Sequence, residues 1–189
     1  MIENVCVYCG SSAGHDRKFA SEAYDFGKAV AKSGKTLIYG GGHVGLMGAV
    51  ANGALETGGK VVGVITEQLA AIELSHIGLT ELITVPDMHV RKATMAQRAD
   101  AFVALPGGIG TLEEIFEALT WLQLDIHRKP CVFLDGSGYF GSLFRFLDSM
   151  VVEGFLSKQH REFIVRCETQ DEVWAALDDF VISPSRKRE

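Results

Sequence analysis

The stretch Leu105–Glu114, which reads LPGGIGTLEE, decides how the rest of the chain is interpreted. An apolar run, Ala101–Leu105, enters a glycine-rich turn and leaves it as an amphipathic helix that begins near Gly110 or Thr111. This pattern is typical of a phosphate-binding loop, because glycines accept positive φ and let an anion approach the backbone, while a helix N terminus offers N–H groups and a positive dipole end. The alternative is a tight turn whose glycines serve packing only.

The helix that follows carries two acids in its first turn, and their directions differ. At about 100° per residue, one apolar stripe is predicted to lie on the sheet, and it consists of Leu112, Ile115, Phe116, Leu119 and Leu122. Glu114, Ala118 and Trp121 point roughly the other way. Glu114 is therefore predicted to face a cleft or a partner.

Composition restricts the classes of protein to which this chain can belong. With 189 residues, 47% of them hydrophobic and 22% charged, it fits one domain over residues 1–182, followed by a polar tail, 183–189, that frays. The net charge of −6 argues against nucleic-acid or anionic-membrane surfaces, so phosphate recognition should be local and the ligand small. No apolar run is long enough for a membrane span, and the N terminus starts with a strand pattern, which predicts a cytoplasmic protein.

Cys6 and Cys9 have the C-x-x-C spacing of a redox pair or half a zinc site. Residues three apart on a strand point to opposite faces, and no second ligand pair of suitable spacing follows. Together with Cys131 and Cys167 they are predicted to be buried, reduced thiols, and no metal site is predicted.

The order of the elements predicts the fold class. About seven short apolar strands alternate with helical patterns, without an internal repeat or a linker. Such alternation is typical of an α/β, doubly wound, mostly parallel sheet with helices on both faces. In such sheets ligands bind at the carboxyl ends of the strands.

Two further loops are candidates for ligand binding. Cys9–Gly14 is rich in small residues and follows the first strand, although ordinary connections have the same composition. Gly40, Gly42 and Gly45 match the dinucleotide pattern G-x-G-x-x-G, and Glu67 lies a little over 20 residues further on, about where an acidic partner is expected. However, Glu67 lies beyond the predicted third strand, 60–65, and not clearly at its tip. A nicotinamide oxidoreductase is therefore a weaker alternative.

The helix over residues 88–98 begins with Arg91 and Lys92 within about one turn of its start. Cations there oppose the helix dipole. An anionic substrate would explain them, and the alternative is a solvated basic face. Arg98 lies at the other end of the helix, where a cation suits the dipole, and is interpreted as structural.

Two motifs together, Pro106-Gly107-Gly108-x-Gly110-Thr111-x-x-Glu114 and Met88-His89-x-Arg91-Lys92, closely resemble those of the LOG ("lonely guy") family of cytokinin-activating phosphoribohydrolases, historically mislabelled lysine decarboxylases. The resemblance covers nearly the whole chain. It implies a Rossmann-like homodimer that hydrolyses the N-glycosidic bond of cytokinin riboside 5′-monophosphates, or of AMP, to free base and ribose 5-phosphate. It implies no cofactor. A nucleotide-sensing module that binds without turnover remains the alternative of another class.

The resemblance also assigns roles to particular residues. Arg91 and Glu114 take the catalytic positions, and Arg91 either assists the leaving base or anchors the phosphate. The substrate-binding positions implied are Glu73, Arg91, Lys92, Gly108, Ile109, Gly110, Thr111, Leu112, Glu113, Glu114 and Thr120. The chemistry agrees, because a ribosyl oxocarbenium ion needs a carboxylate near the sugar and the leaving base needs donors or an acid.

Overall fold

The computed structural model describes residues 2–72 and 75–180. In this part of the chain seven strands form one parallel sheet. The strands are β1 Asn4–Tyr8, β2 Thr36–Tyr39, β3 Lys60–Thr66, β4 Glu81–Val85, β5 Ala101–Ala104, β6 Cys131–Leu134 and β7 Ile164–Cys167. The helices are α1 Arg17–Lys32, α2 Gly45–Glu56, α3 Glu67–Ile72, α4 Met88–Arg98, α5 Ile109–Gln123, α6 Gly141–Val152, α7 Lys158–Glu162 and α8 Gln170–Asp178.

The strand order is β4-β3-β2-β1-β5-β6-β7, so the direction of winding reverses between β1 and β5. Helices cover both faces, with α1, α2 and α8 on one hydrophobic cluster and α4, α5 and α6 on the other. The predicted doubly wound sheet is confirmed. A crevice is expected where the winding reverses, because the helices that follow β1 and β5 lie on opposite faces of the sheet there.

The cysteines follow the alternation of the strands. Cys6 belongs to the cluster beneath α4 and α5, and Cys9 to the opposite one. All four thiols are buried and unpaired, as predicted. Burial raises the pKa of Cys6 and of Cys9 far above the usual range of a thiol, so neither is a reactive thiolate.

Two short helices, α3 and α7, do not appear in the sequence prediction. The first begins where the Thr66 hydroxyl accepts from the Leu69 N–H at 3.1 Å, and the second where the Ser157 side chain caps His160. Each has at most six residues, which is too few turns to produce a visible period. Residues 181–189, which include the predicted tail, lie outside the described residues.

Three loops at the carboxyl edge of the sheet meet at Gly10. Its N–H donates to the Pro106 carbonyl at 3.0 Å, and its carbonyl accepts from the N–H groups of Leu46 and Met47. A Cβ at Gly45, where φ is +62°, would lie 2.2 Å from the Ser11 carbonyl oxygen. The loops after β1, β2 and β5 are therefore fixed to one another by backbone contacts.

Within the described residues no helix is long and apolar enough to cross a membrane.

Gly45→Ala should destabilise the protein more than Gly58→Ala, which provides a matched control. Both glycines have positive φ, which costs an alanine about 1–2 kcal/mol, but a Cβ at Gly58 meets nothing within 4 Å. Gly45→Ala should lower the free energy of unfolding by about 1–3 kcal/mol more than Gly58→Ala does, because the loop that contains Ser11 must move. Urea unfolding of both variants measures the difference, and equal losses would contradict the interlocked loops.

Candidate active site

A crevice of about 340 Å³ lies at the carboxyl edge of the sheet, where the winding reverses. One wall is the start of α5, a second is the loop after β1, and α2, α3 and α4 supply the rest. The residues that line it are Cys9, Gly10, Ser11, Met47, Leu69, Met88, Arg91, Gly108, Ile109, Gly110, Thr111, Glu113 and Glu114. Its volume suits a small ligand rather than a polymer.

The glycines of the turn after β5 have two different purposes. None of the three has positive φ, so that part of the sequence prediction is wrong. A Cβ at Gly107 would lie 2.1 Å from the Thr111 hydroxyl and 2.8 Å from the Gly10 nitrogen, so this glycine is required by packing. Added Cβ atoms at Gly108 and Gly110 would meet nothing within 4 Å. Packing within the chain does not require these two glycines, and the space beside them is open to a ligand.

The N terminus of α5 is open to an anion. The helix begins at Ile109, one residue before the predicted start, and no side chain caps it at Gly108. The first N–H to bond back within the turn is that of Leu112, which donates to the Gly108 carbonyl at 3.2 Å. The N–H groups of the first turn therefore remain available beside a positive dipole end.

The buried face of α5 differs from the predicted stripe. Its buried residues are Thr111, Ile115, Ala118, Leu119 and Leu122, whereas Leu112 and Phe116 are only partly buried. Ala118 is 3% exposed and Trp121 packs partly against the same core, so the prediction that both face away from it is wrong. The buried face of α5 is therefore rotated from the stripe that apolar periodicity predicts. Glu114 lies at the edge of this face and lines the crevice, as predicted.

Arg91 is fixed by three hydrogen bonds. Its Nε donates to the Val64 carbonyl at 2.9 Å and its second terminal nitrogen to the Gly40 carbonyl at 3.3 Å. The remaining terminal nitrogen donates to the Glu114 carboxylate at 2.9 Å. The guanidinium is buried, so the interpretation as a solvated basic face is wrong for this residue.

The Glu114 carboxylate is held in a mostly desolvated position, with 13% of its side chain exposed. Burial raises the pKa of Glu114 above the usual range of a glutamate, and the positive charge of Arg91 opposes that rise. A carboxylate that combines burial with a fixed cationic partner beside a cleft is a candidate for catalysis.

The crevice does not contain every residue that the sequence assigned to it. Lys92 bonds to Glu113 and, at 3.0 Å, to Glu117, so it faces along α5 instead of into the crevice. The Thr120 hydroxyl donates to the Phe116 carbonyl, one turn earlier in the same helix. Leu112 packs against the core. Glu73 lies outside the described residues.

Comparisons with known proteins identify the family of the chain. The family model described as "Possible lysine decarboxylase" matches residues 47–177. A cytokinin riboside 5′-monophosphate phosphoribohydrolase of Rhodococcoides fascians is 48% identical over 93% of this chain and 89% of its own length. The chain belongs to the LOG family. A second family member, a probable phosphoribohydrolase of the same name from Oryza sativa subsp. japonica, is 44% identical over 95% of the chain and 85% of its own length.

Among solved structures, the molybdenum cofactor carrier protein of Chlamydomonas reinhardtii superposes with a TM-score of 0.73. It covers 95% of this chain and 98% of its own, at 22% identity. That likeness shows that the LOG family fold occurs outside the phosphoribohydrolases and carries no information about the ligand.

The second glycine cluster is not a dinucleotide cradle. The N–H groups at the start of α2 donate to the Gly10 carbonyl and are therefore occupied. Glu67 directly follows β3 and begins α3, so it lies at the strand tip, but its side chain is exposed and does not line the crevice. Two glycines of this cluster are required by close packing. A Cβ would clash with Ser11 at Gly45 and with His43 at Gly48. The structure thus gives the nicotinamide alternative no support.

Some crevice residues could not be found from the sequence. Leu69 belongs to a segment without a period, and Met47 has the appearance of an ordinary apolar residue. Met88 is the first residue of the second family motif, but the sequence assigned it no role. The loop containing Ser11 carried a signal, because it consists of small residues after a strand. Within residues 2–72 and 75–180, no group of three or more His, Cys, Asp or Glu side chains is placed to hold a metal ion.

Gly110→Ala tests whether these glycines serve a ligand. Alanine favours the helix and meets no neighbour, so the free energy of unfolding should stay equal or rise by up to about 1 kcal/mol. The methyl group should weaken ribose 5-phosphate binding by about 1–3 kcal/mol, roughly 5- to 150-fold in Kd. Calorimetry and urea unfolding measure the two effects. Gly107→Ala, which would clash with Thr111, is the contrasting variant and should lose stability. Unchanged affinity in Gly110→Ala would mean that no anion approaches there.

Proposed function

We propose that this chain hydrolyses the N-glycosidic bond of a nucleoside 5′-monophosphate, a cytokinin riboside 5′-monophosphate or AMP, to the free base and ribose 5-phosphate. The observation that carries the proposal is the Glu114 carboxylate, held by Arg91 one helical turn beyond an open helix N terminus. The names of the relatives point to the same reaction.

The 5′-phosphate would bind at the start of α5. Open space beside Gly108 and Gly110 lets a phosphate oxygen reach the N–H groups of the first turn, and Ser11 lies on the opposite wall. From Gly110 to Glu114 the helix rises about 6 Å. A ribose whose phosphate occupies the helix end would therefore reach the Glu114 carboxylate.

Glu114 would act on the sugar. As the C1′–N bond breaks, its electron pair goes to the base and positive charge develops on the ribose ring. A desolvated carboxylate stabilises that charge more strongly than the neutral ground state, which is the requirement for lowering the barrier. Water then adds to C1′, and its proton neutralises the departing base.

Arg91 has a positioning role in this scheme rather than the role of a phosphate anchor. Three of its donor groups are occupied by Val64, Gly40 and Glu114, and the guanidinium is buried beside the carboxylate instead of beside the helix end. It would keep Glu114 ionised and oriented. A donor that remains on the crevice side would be close to the base, which favours assistance to the leaving group over phosphate binding.

Leu69, Met88 and Ile109 give the rest of the crevice an apolar lining suited to a planar base.

A panel of nucleoside 5′-monophosphates, with free base assayed by chromatography, identifies the substrate. Tight binding without base release from any of them would establish the sensing module instead.

The decisive variants are Glu114→Gln and its neighbour Glu113→Gln. Both side chains line the crevice, but Glu113 is half-exposed and pairs with Lys92, whereas Glu114 is largely buried against Arg91. If Glu114 stabilises the transition state, its variant should lose roughly two to four orders of magnitude in turnover, while Glu113→Gln should stay within about tenfold. Single-turnover base release measures both. Equal effects, or a near-normal rate for Glu114→Gln, would show that this carboxylate is not catalytic.

We also propose that the chain forms a homodimer. Ile109 is 88% exposed beside the crevice, and an exposed apolar side chain at a site entrance is a candidate contact with a partner. Lys92 and Thr120, which the family resemblance assigns to substrate binding, do not line the crevice of their own chain. A second copy placed along α4 and α5 would bring these two residues to its partner's site.

Light scattering at micromolar protein should give the mass of a dimer, and mixing inactive variants tests the shared site. Lys92→Ala and Glu114→Gln chains, mixed and allowed to exchange, should regain up to about a quarter of wild-type activity, because half of the dimers would carry one intact site. Circular dichroism of each variant checks its fold. A monomer mass, or no regain on mixing, would contradict this arrangement.

A cytoplasmic location fits the four buried, unpaired thiols, since disulfides are rare in reducing compartments. The net charge of −6 favours a small ligand over nucleic acid.

A further inference from the structure

The turn between β6 and α6 is held rigidly next to the phosphate loop. The Asp135 carboxylate, which is buried, accepts from the Phe140 N–H at 3.0 Å and from the Arg166 guanidinium at 2.7 Å. The Phe140 ring is also buried and packs edge-on against Phe133, 5.0 Å between ring centres. Tyr139, immediately before Phe140, is therefore presented on a fixed backbone.

Tyr139 contacts the glycine turn through its hydroxyl. The hydroxyl donates to the Gly107 carbonyl at 2.7 Å, and the ring lies edge-on to Phe19 at 5.6 Å. These two rings line a recess of about 280 Å³. Gly108 lines both this recess and the crevice, whereas Arg91 and Glu114 line only the crevice. With 48% of its surface exposed, Tyr139 contributes little to the core.

The hydrogen bond fixes the direction of one N–H group. In a trans peptide the carbonyl of one residue and the N–H of the next point in opposite directions, and the described residues contain no cis peptide. Because the Gly107 carbonyl points to Tyr139, the Gly108 N–H points away from it. Tyr139 lines the recess but not the crevice, and Gly108 lines both.

The peptide between Gly107 and Gly108 needs such a restraint. Neither residue has a Cβ, so the steric barriers that keep a peptide plane in place elsewhere are weak. Rotation of this plane would aim a carbonyl oxygen, instead of an N–H, at a bound anion. The Tyr139 bond opposes that rotation.

We propose that Tyr139 is a positioning residue, whose hydroxyl holds the Gly107–Gly108 peptide with its N–H directed at the phosphate of the ligand. The proposal rests on the proposed function for the identity of the ligand, but the anion contact itself can be tested without turnover. Because the 5′-phosphate lies away from the breaking bond, the contact strengthens ground state and transition state equally.

The test compares Tyr139→Phe with Tyr24→Phe. Tyr24 also donates through its hydroxyl, to the Glu56 carboxylate between α1 and α2, and does not line the crevice. Loss of one hydrogen bond should raise the Kd for inorganic phosphate and for ribose 5-phosphate, and the KM for the nucleotide, by about three- to tenfold in Tyr139→Phe. The kcat should stay within about twofold. Tyr24→Phe should leave all of these values unchanged.

The NMR signal of the Gly108 amide gives a second measurement. If Tyr139 had only a structural role, its replacement would not change the response of this signal to phosphate. Phosphate should shift the Gly108 N–H resonance in the wild type and shift it less in Tyr139→Phe. Equal phosphate affinity in wild type and Tyr139→Phe, or no phosphate binding by either, would overturn the inference. Phosphate binding that weakens in Tyr139→Phe, without base release by the wild type, would support the inference and overturn the proposed hydrolase.

Discussion

The backbone of Gly10 is the constraint on which the rest of the site depends. Its N–H and carbonyl join the loop after β1 to the loops after β5 and β2, through Pro106 and the start of α2. These bonds require close backbone approach, which explains why glycines occur at positions 45 and 107, where a Cβ would lie within 2.2 Å of neighbouring atoms. The first N–H groups of α2 donate to Gly10, whereas the start of α5 is open to a ligand at the crevice.

The pair of Arg91 and Glu114 depends on that frame. Arg91 reaches the carboxylate from α4 because carbonyls at the ends of β2 and β3 hold its guanidinium. A buried ion pair is weak evidence for stability, since desolvation offsets much of the attraction. Its value in the proposed hydrolase is orientation. A carboxylate fixed before the substrate binds does not have to reorganise when charge develops on the ribose.

Similar glycine clusters after β2 and β5 have different purposes, and the physical reason lies in their surroundings. At Gly108 and Gly110 an added Cβ would meet nothing, whereas at Gly45 and Gly48 it would meet backbone within 2.2 Å. A glycine that packing requires and a glycine that leaves room for a ligand have the same letter in the sequence. The surrounding chain distinguishes them, and at Gly107 it adds a restraint from Tyr139, 32 residues away.

The sequence by itself determined the parallel α/β sheet and the place of Glu114 in a crevice at its carboxyl edge, because these follow from local periodicity and from two motifs of fixed spacing. Tertiary structure decided which faces meet. It buried Ala118 and turned Lys92 towards Glu113 and Glu117. It also added Leu69, Met88 and Tyr139 around the crevice and its loop. Such contacts join residues far apart in the chain, and no local pattern records the distance between two helices or the direction of a peptide plane.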